Sequence, residues 1–340
     1  MDDRKLFILG AILRSYIHEG KPIGSRTLQR DYQMDISAAT IRNEMSDLEH
    51  DGYLMKSHTS SGRIPSVKAY RWYVNELLDR GFRSDTVLAL GRQSLIHQSQ
   101  DPSHLLDAAL TILSEITDCV AFAVIPARQN DVLSKVRLIP VSGREILVVT
   151  VFDTKFVQTQ LVRLSMEYRP ERLERAGDIL QELFEGKPLT SILGFFEGQQ
   201  LMHEYTPGNA MSELTPVLRE QIEKSMEPRL LLRGLNRLFR ITEQDSMEDA
   251  FAFTSQLQKD PHFLEFLSDQ DEQQLIHVFI GQENPIDYLK QYSLISVPYR
   301  VKPGLVGYIG TIGPMRMHYR EVMSEVQRMG RYVDSITAVE

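Results

Sequence analysis

An α+β protein of more than one domain is the fold class this sequence predicts, and three observations carry the prediction. Apolar residues recur at helical spacing through roughly residues 1–80 and again from about 168 to 226. Runs rich in Val, Ile and Phe, with the short period of strands, fill 120–164 and return at 275–312. At 340 residues the chain exceeds one typical domain. Strands, then a helical block, then more strands imply one α+β domain interrupted by an inserted helical domain. The expected units are 1–84, an N-terminal DNA-binding domain; 85–165, the first part of the α+β domain with a connector helix; 166–227, a mainly helical insertion; and 228–340, the second part of the α+β domain.

In chain order, Leu6, Leu9, Ile12, Leu13, Tyr16 and Ile17 predict a first helix, which Gly20-Lys21-Pro22-Ile23-Gly24 ends. Ser25 is expected to cap a short second helix carrying Leu28 and Tyr32. Ser37 is a good N-cap for a third, in which Ile41, Met45 and Leu48 make one apolar stripe. That stripe turns Ala39, Arg42, Asn43 and Ser46 to the opposite face. Small residues there let the backbone approach a groove, Arg pairs bidentately with guanine, and Asn does the same with adenine. A hairpin follows from Gly52 to Pro65, with Ser60-Ser61-Gly62 at its tip and Lys56, His58 and Arg63 near it. Three short helices and a basic hairpin make a winged helix-turn-helix, whose last helix enters the major groove. An ordinary amphipathic helix and hairpin would also carry Arg and Asn outward; the order of the upstream elements weighs against that reading. The next helix, Val67–Leu78, carries Lys68 and Arg71, for which a solvated helix face competes with phosphate contact. The candidate DNA-contacting residues are Ser25, Ser37, Ala39, Thr40, Arg42, Asn43, Ser46, Lys56, His58, Arg63 and Arg71.

The net charge of −8 suits a nucleic-acid binder only when it is divided. Residues 1–84 hold 13 Lys+Arg against 11 Asp+Glu, a net of +2, and the remainder holds 25 against 35. A net of +2 makes a local patch, so one copy binds weakly and two copies are implied. The single cysteine, Cys119, lies in an apolar run and reads as a buried inert thiol; it rules out an intramolecular disulfide or a multi-Cys metal site. No signal-peptide pattern opens the chain and no apolar run approaches bilayer length, so a cytoplasmic protein is expected.

Helices are expected at Thr86–Gln98 and Ser103–Thr117, then strands at Val120–Pro126, Ser134–Val141, Glu145–Phe152 and Phe156–Leu164. Helices at Leu173–Phe184, Ile192–Tyr205 and Leu214–Met226 follow. Strands return near Leu230–Leu235, Leu275–Ile280, Ser293–Tyr299 and Leu305–Ile312, before a last helix from about Tyr319 to Val333. Gly304, Gly307, Gly310 and Gly313 imitate a nucleotide loop but lack its Lys-Ser/Thr end or a following helix, so a close-packed strand fits them. His262, His277 and His318 have no metal-ligand spacing. No nucleophile elbow or other catalytic set occurs, and the chain is not expected to be an enzyme.

Several segments together resemble the HrcA family of heat-inducible transcription repressors: Pro22-Ile23-Gly24-Ser25, Ser37 with Thr40-Ile41-Arg42-Asn43, His58 to Pro65, and Tyr70-Arg71 with Tyr73-Val74. The likeness continues in Leu113–Thr117, Ile280–Pro285, and Gly307 to Tyr319, and is weakest between about Met166 and Met226. Ser61 and Ser66 stand where the family has Ala and Thr. The resemblance implies a winged helix, a GAF-like domain and an inserted dimerisation domain. It implies a homodimeric repressor of chaperone operons on an inverted-repeat operator of double-stranded DNA, called CIRCE, kept active by the chaperonin GroEL. It implies no cofactor. The alternative is a winged-helix regulator whose GAF-like domain senses a small ligand. A single-stranded RNA reader is disfavoured because the Arg42 face has no aromatic for base stacking.

Overall fold

The computed structural model describes residues 2–57, 62–82, 102–153, 156–197, 210–237, 253–258 and 260–337. The expected Thr86–Gln98 connector and the tip of the hairpin, with His58, lie outside them.

The N-terminal unit is built from four helices and a hairpin. Asp2 starts α1 (Asp3–Glu19) by accepting from the Lys5 N–H at 2.8 Å. Gly20 closes it in the left-handed region, φ 72°, where only glycine is unstrained. For α2 (Ser25–Asp31) the cap is Gly24 rather than Ser25, and no side chain caps it; Ser25 is already the first helical residue. Ser37 caps α3 (Ala38–His50), accepting from Thr40 N at 3.1 Å. Strands β1 (Leu54–Lys56) and β2 (Arg63–Pro65) pair antiparallel, and Ile23 adds a bridge to Arg63. Ser66 caps α4 (Val67–Arg80) and also donates to Gly52 O at 2.7 Å, fixing the exit of the hairpin.

After α5 (Pro102–Thr117) comes β3 (Val120–Ile125), buried along its whole length, which marks a strand covered on both faces. It sits inside a five-stranded antiparallel sheet of order β7-β3-β10-β9-β8, with β7 at Arg229–Arg233, β8 at His277–Ile280, β9 at Tyr292–Lys302 and β10 at Leu305–Pro314. Helix α5 and the last helix, here α10 (Tyr319–Thr337), pack together on one face. The other face is covered by Phe263 and Leu267 of α9 (Pro261–Ser268) over Phe122, Tyr308 and Leu294. The glycines of β10 are there for close packing: a Cβ at Gly310 would fall 2.1 Å from Ile295 O, and one at Gly313 would fall 2.5 Å from Cys119 Sγ. The thiol itself is buried, and burial pushes it up to about 12.

Two expectations about the insertion are corrected. Strands β4 (Leu133–Ser142), β5 (Glu145–Phe152) and β6 (Val157–Arg163) do not join the five-stranded sheet. They form their own three-stranded meander, so of the strands between 120 and 164 only β3 pairs with the C-terminal ones. The physical reason is alternation. Ile146, Val148, Thr150 and Phe152 are buried while their neighbours are half-exposed, so β5 has one covered face, unlike β3. That face packs on α6 (Pro170–Phe184), α7 (Leu189–Glu197) and α8 (Ala210–Met226), giving one core from Leu133 to Ile222. The inserted unit therefore begins near 132 rather than 166, and it is a sheet with helices rather than mainly helical. At its base, fully buried Asp131 takes the Lys302 ammonium at 2.7 Å, and the Arg128 guanidinium lies 3.6 Å over the Phe156 ring.

Candidate nucleic-acid interface

The face of α3 is set by its core contacts. Ile41 and Leu48 are fully buried and Met45 nearly so. Glu44, on the same side, is buried against Arg4 and Lys5 of α1, and Lys5 also reaches Asp47 at 2.8 Å. The bond to Asp47 raises the Lys5 ammonium above its ordinary range. These contacts fix the rotation of α3 about its axis, and the opposite row, Ala39, Arg42, Asn43 and Ser46, is exposed. Neither Arg42 nor Asn43 has a hydrogen-bond or ion-pair partner among the described residues. An arginine and an amide left free on a rigid helix beside small residues are groups able to pair with base edges.

Around that row the structure sorts the other candidates. Ser37 is exposed at the helix start; Thr40 is half-buried and its hydroxyl lies 2.9 Å from Ser37 Oγ, so it completes the cap. Ser25 is half-buried at the head of α2. Lys56, at the end of β1, keeps a largely exposed side chain with Glu49 3.5 Å away.

Arg63 does not project as a free cation. Its Nε donates to Glu49 at 2.7 Å, its side chain is 20% exposed, and its backbone exchanges both bonds with Ile23. Glu49, whose role had no sequence signal, thereby ties α3 to both hairpin strands.

Arg71 is a clearer correction. Its side chain is engaged within the protein and only partly exposed: its guanidinium grips both oxygens of Glu283 and donates to Val278 O at 2.6 Å. Glu283 also accepts from Ile280 N at 2.8 Å. The pair fastens α4 to the edge strand β8. Beside it, Tyr70 and Tyr319 lie 5.9 Å apart, and Arg316 donates to Ile17 O at 3.2 Å. Burial pushes both phenols far above their ordinary range. The N-terminal unit and the five-stranded sheet consequently share one continuous apolar core. The partners of Arg71 lie 212 and 207 residues away in sequence, which is why no local pattern announced them.

The profile of the HrcA protein C terminal domain matches residues 103–323. A protein of Acetivibrio thermocellus described as heat-inducible transcription repressor HrcA is 33% identical over 337 residues, 97% of this chain and 94% of that one. The protein so described from Caldanaerobacter subterraneus subsp. tengcongensis is 32% identical, over 99% of this chain and 97% of its own. A crystal structure described as a hypothetical protein at 2.2 Å resolution superposes with a TM-score of 0.75 at 24% identity, covering 99% of this chain and 98% of that one, which shows a shared fold. Over nearly its full length, then, this chain belongs to the HrcA family.

Proposed function

We propose that the protein is a DNA-binding transcription repressor of heat-shock genes, with residues 1–84 as a winged helix-turn-helix and α3 as its reading helix. The observation that carries this is the free Arg42–Asn43 pair on a helix whose rotation is fixed by its buried stripe and by Glu44. The relatives' description as heat-inducible repressors supplies the class of genes. Lys56 supplies a phosphate contact at the wing. The five-stranded sheet is the GAF-like domain and the unit from about 132 to 226 is the dimerisation domain.

Two copies are needed, because the N-terminal unit has a net charge of only +2. A two-fold dimer then matches an inverted-repeat operator of the CIRCE kind. The apolar helix residues of the unit offer little free surface for a dimer: Leu180 and Phe184 are buried under the meander, with Leu183, Leu193 and Phe196 partly covered, and Leu201 lies outside the described residues. The surface left apolar is the outer face of that meander, where Ile139, Leu147 and Leu161 stand in one cross-strand row with Val141 and Val157 beside it. Exposed apolar rows of this kind mark interfaces, and this face is the proposed dimer contact.

Chaperonin dependence has a topological basis. Central strand β3 pairs with β7 and β10, which follow it by more than a hundred residues, so its edges wait for most of the chain. Slow non-local closure with open edges suits a chaperonin client.

The test is binding by Arg42→Ala and Asn43→Ala variants to an inverted repeat and to a scrambled duplex. Each variant is expected to lose about 1–3 kcal/mol on the repeat and far less on the scrambled duplex. Equal losses on the two would remove base reading from this face.

A further inference from the structure

A second cationic surface lies where the N-terminal unit meets the sheet. Helix α1 presents Arg14 and His18 one turn apart, and Lys21 follows in the turn after it. From the other unit come Arg316, His318 and Arg320, at the entry to α10; all six side chains are exposed. They are contiguous across the joint. The Arg316 guanidinium lies so close over Gly20 that a Cβ there would meet it at 2.9 Å. The rings of His18 and His318 meet edge to face with centroids 6.4 Å apart. Tyr73 of α4 is within electrostatic reach of both Arg320 and Arg14.

Most other arginines of the N-terminal unit, Arg26 and Arg42 excepted, are paired. Arg4, Arg30, Arg63, Arg71 and Arg80 each hold a carboxylate. Arg14, Lys21, Arg316 and Arg320 hold none among the described residues. Glu19 and Glu321 stand beside the seam in sequence, and neither makes an ion pair with Arg14, Lys21, Arg316 or Arg320 among the described residues. In a chain of net charge −8, where carboxylates outnumber cations, such a seam is a local exception. Like charges gathered without counter-charge repel one another, and a polyanion laid across them relieves that repulsion.

Position identifies the polyanion. Pro22, the neighbour of Lys21, packs against Gly62 of the wing, whose Cβ would fall 2.8 Å from it. The seam thus begins at the inner edge of the proposed wing and runs onto α10. We infer that duplex DNA beside the half-site lies along this seam, its phosphates held by Arg14, Lys21, Arg316 and Arg320, with His18 and His318 as further hydrogen-bond donors. This rests on the DNA-reading proposal above and extends the contact surface onto the C-terminal unit. DNA affinity then depends on the two units being docked, since neither carries the whole seam.

The experiment uses the full chain and two half-site duplexes, one trimmed to the half-site and one extended by about one helical turn on each side. Salt titrations compare the wild type with Arg14→Gln/Arg320→Gln and with the charge-keeping Arg14→Lys/Arg320→Lys. The glutamine pair should lower the slope of log K against log salt by about 1.8 on the extended duplex, about 0.9 for each lost phosphate contact. It should leave the slope on the trimmed duplex unchanged, and the lysine pair should restore it. A glutamine pair with the wild-type slope on the extended duplex, or an equal drop on both, overturns the seam while the reading helix stands. A wild type that prefers neither half-site duplex to a scrambled duplex of the same length overturns the reading helix and the seam with it.

Discussion

Cutting the Arg71 clasp separates its two possible roles. Arg71 donates to both oxygens of Glu283 and to Val278 O, and hydrogen bonds to charged groups contribute about 1.5–3 kcal/mol each when buried. Both side chains are 29% exposed, so water replaces part of what is lost. Exposed ion pairs contribute about 0.2–1 kcal/mol, and breaking buried ones costs about 3–5. This geometry falls between them, which puts the coupling at about 1–2 kcal/mol. A double-mutant cycle of Arg71→Ala and Glu283→Ala, read by urea unfolding, measures it. Glu283→Ala also frees the Ile280 N–H, a loss that the cycle subtracts. The salt slope for DNA binding should stay at its wild-type value in Arg71→Ala, because the guanidinium touches protein and not phosphate. A coupling below about 0.3 kcal/mol together with a slope reduced by about one would refute the clasp and return Arg71 to the DNA.

Replacing Leu161 by Asp places a charge at the β6 end of the Ile139–Leu147–Leu161 row and should convert dimers to monomers in sedimentation without unfolding the unit, since Leu161 is 58% exposed; an unchanged dimer would move the interface elsewhere. Burial pushes the His277 imidazole below its ordinary value, so the unfolded chain binds the proton more tightly than the folded one. Its contribution is complete above an unfolded pKa of about 6.5 and is lost as pH falls through the folded value. Urea unfolding at pH 7.5 and 5.5 should therefore show an acid loss that shrinks in His277→Gln. Refolding by dilution should yield more operator-competent protein with chaperonin and ATP than without, with a gap that widens at higher protein concentration; equal recovery at every concentration would count against chaperonin control.

What the sequence discloses is mostly local. The stripe Ile41, Met45 and Leu48 places Arg42 and Asn43 on the outer face because both sets are fixed by one helical period. Gly307, Gly310 and Gly313 were legible as close packing because their spacing fits no phosphate loop, and Tyr299, Ile295 and Cys119 fill the space that side chains would take; Gly304 differs, since it sits in the β9–β10 turn at φ 76° with open space around it. Strand membership was harder. Period-two alternation says which residues of β5 share a face, but nothing in it says which sheet that face belongs to. The contrast that separates the two sheets, unbroken burial in β3 against alternation in β5, exists only in the fold, because both strands are apolar runs in sequence. Charged residues were the least legible, because Arg63 and Arg71 have the same local appearance as Lys56. Only the fold brings Glu49 and Glu283 to them.

The same long-range contacts determine when the N-terminal unit becomes useful. It is the first part of the chain to be made, and its own core of Ile8, Ile12, Ile41 and Leu48 is local. Its seat is not. The surface that receives α4 is built from Val278, Glu283, Met315 and Tyr319, and Tyr319 is held in turn by Ser293 at 2.7 Å. Those residues gain their positions only when β8, β9 and β10 have paired and β3 has closed on β10. A reading helix can therefore be fully formed while its attachment is still missing. An inverted-repeat operator demands two reading helices at a fixed separation. A unit loose on its tether meets that demand only in the fraction of conformations that happen to fit, and its apparent affinity falls by that fraction. Heat that slows closure of the five-stranded sheet would then weaken repression without touching a single DNA-contacting side chain.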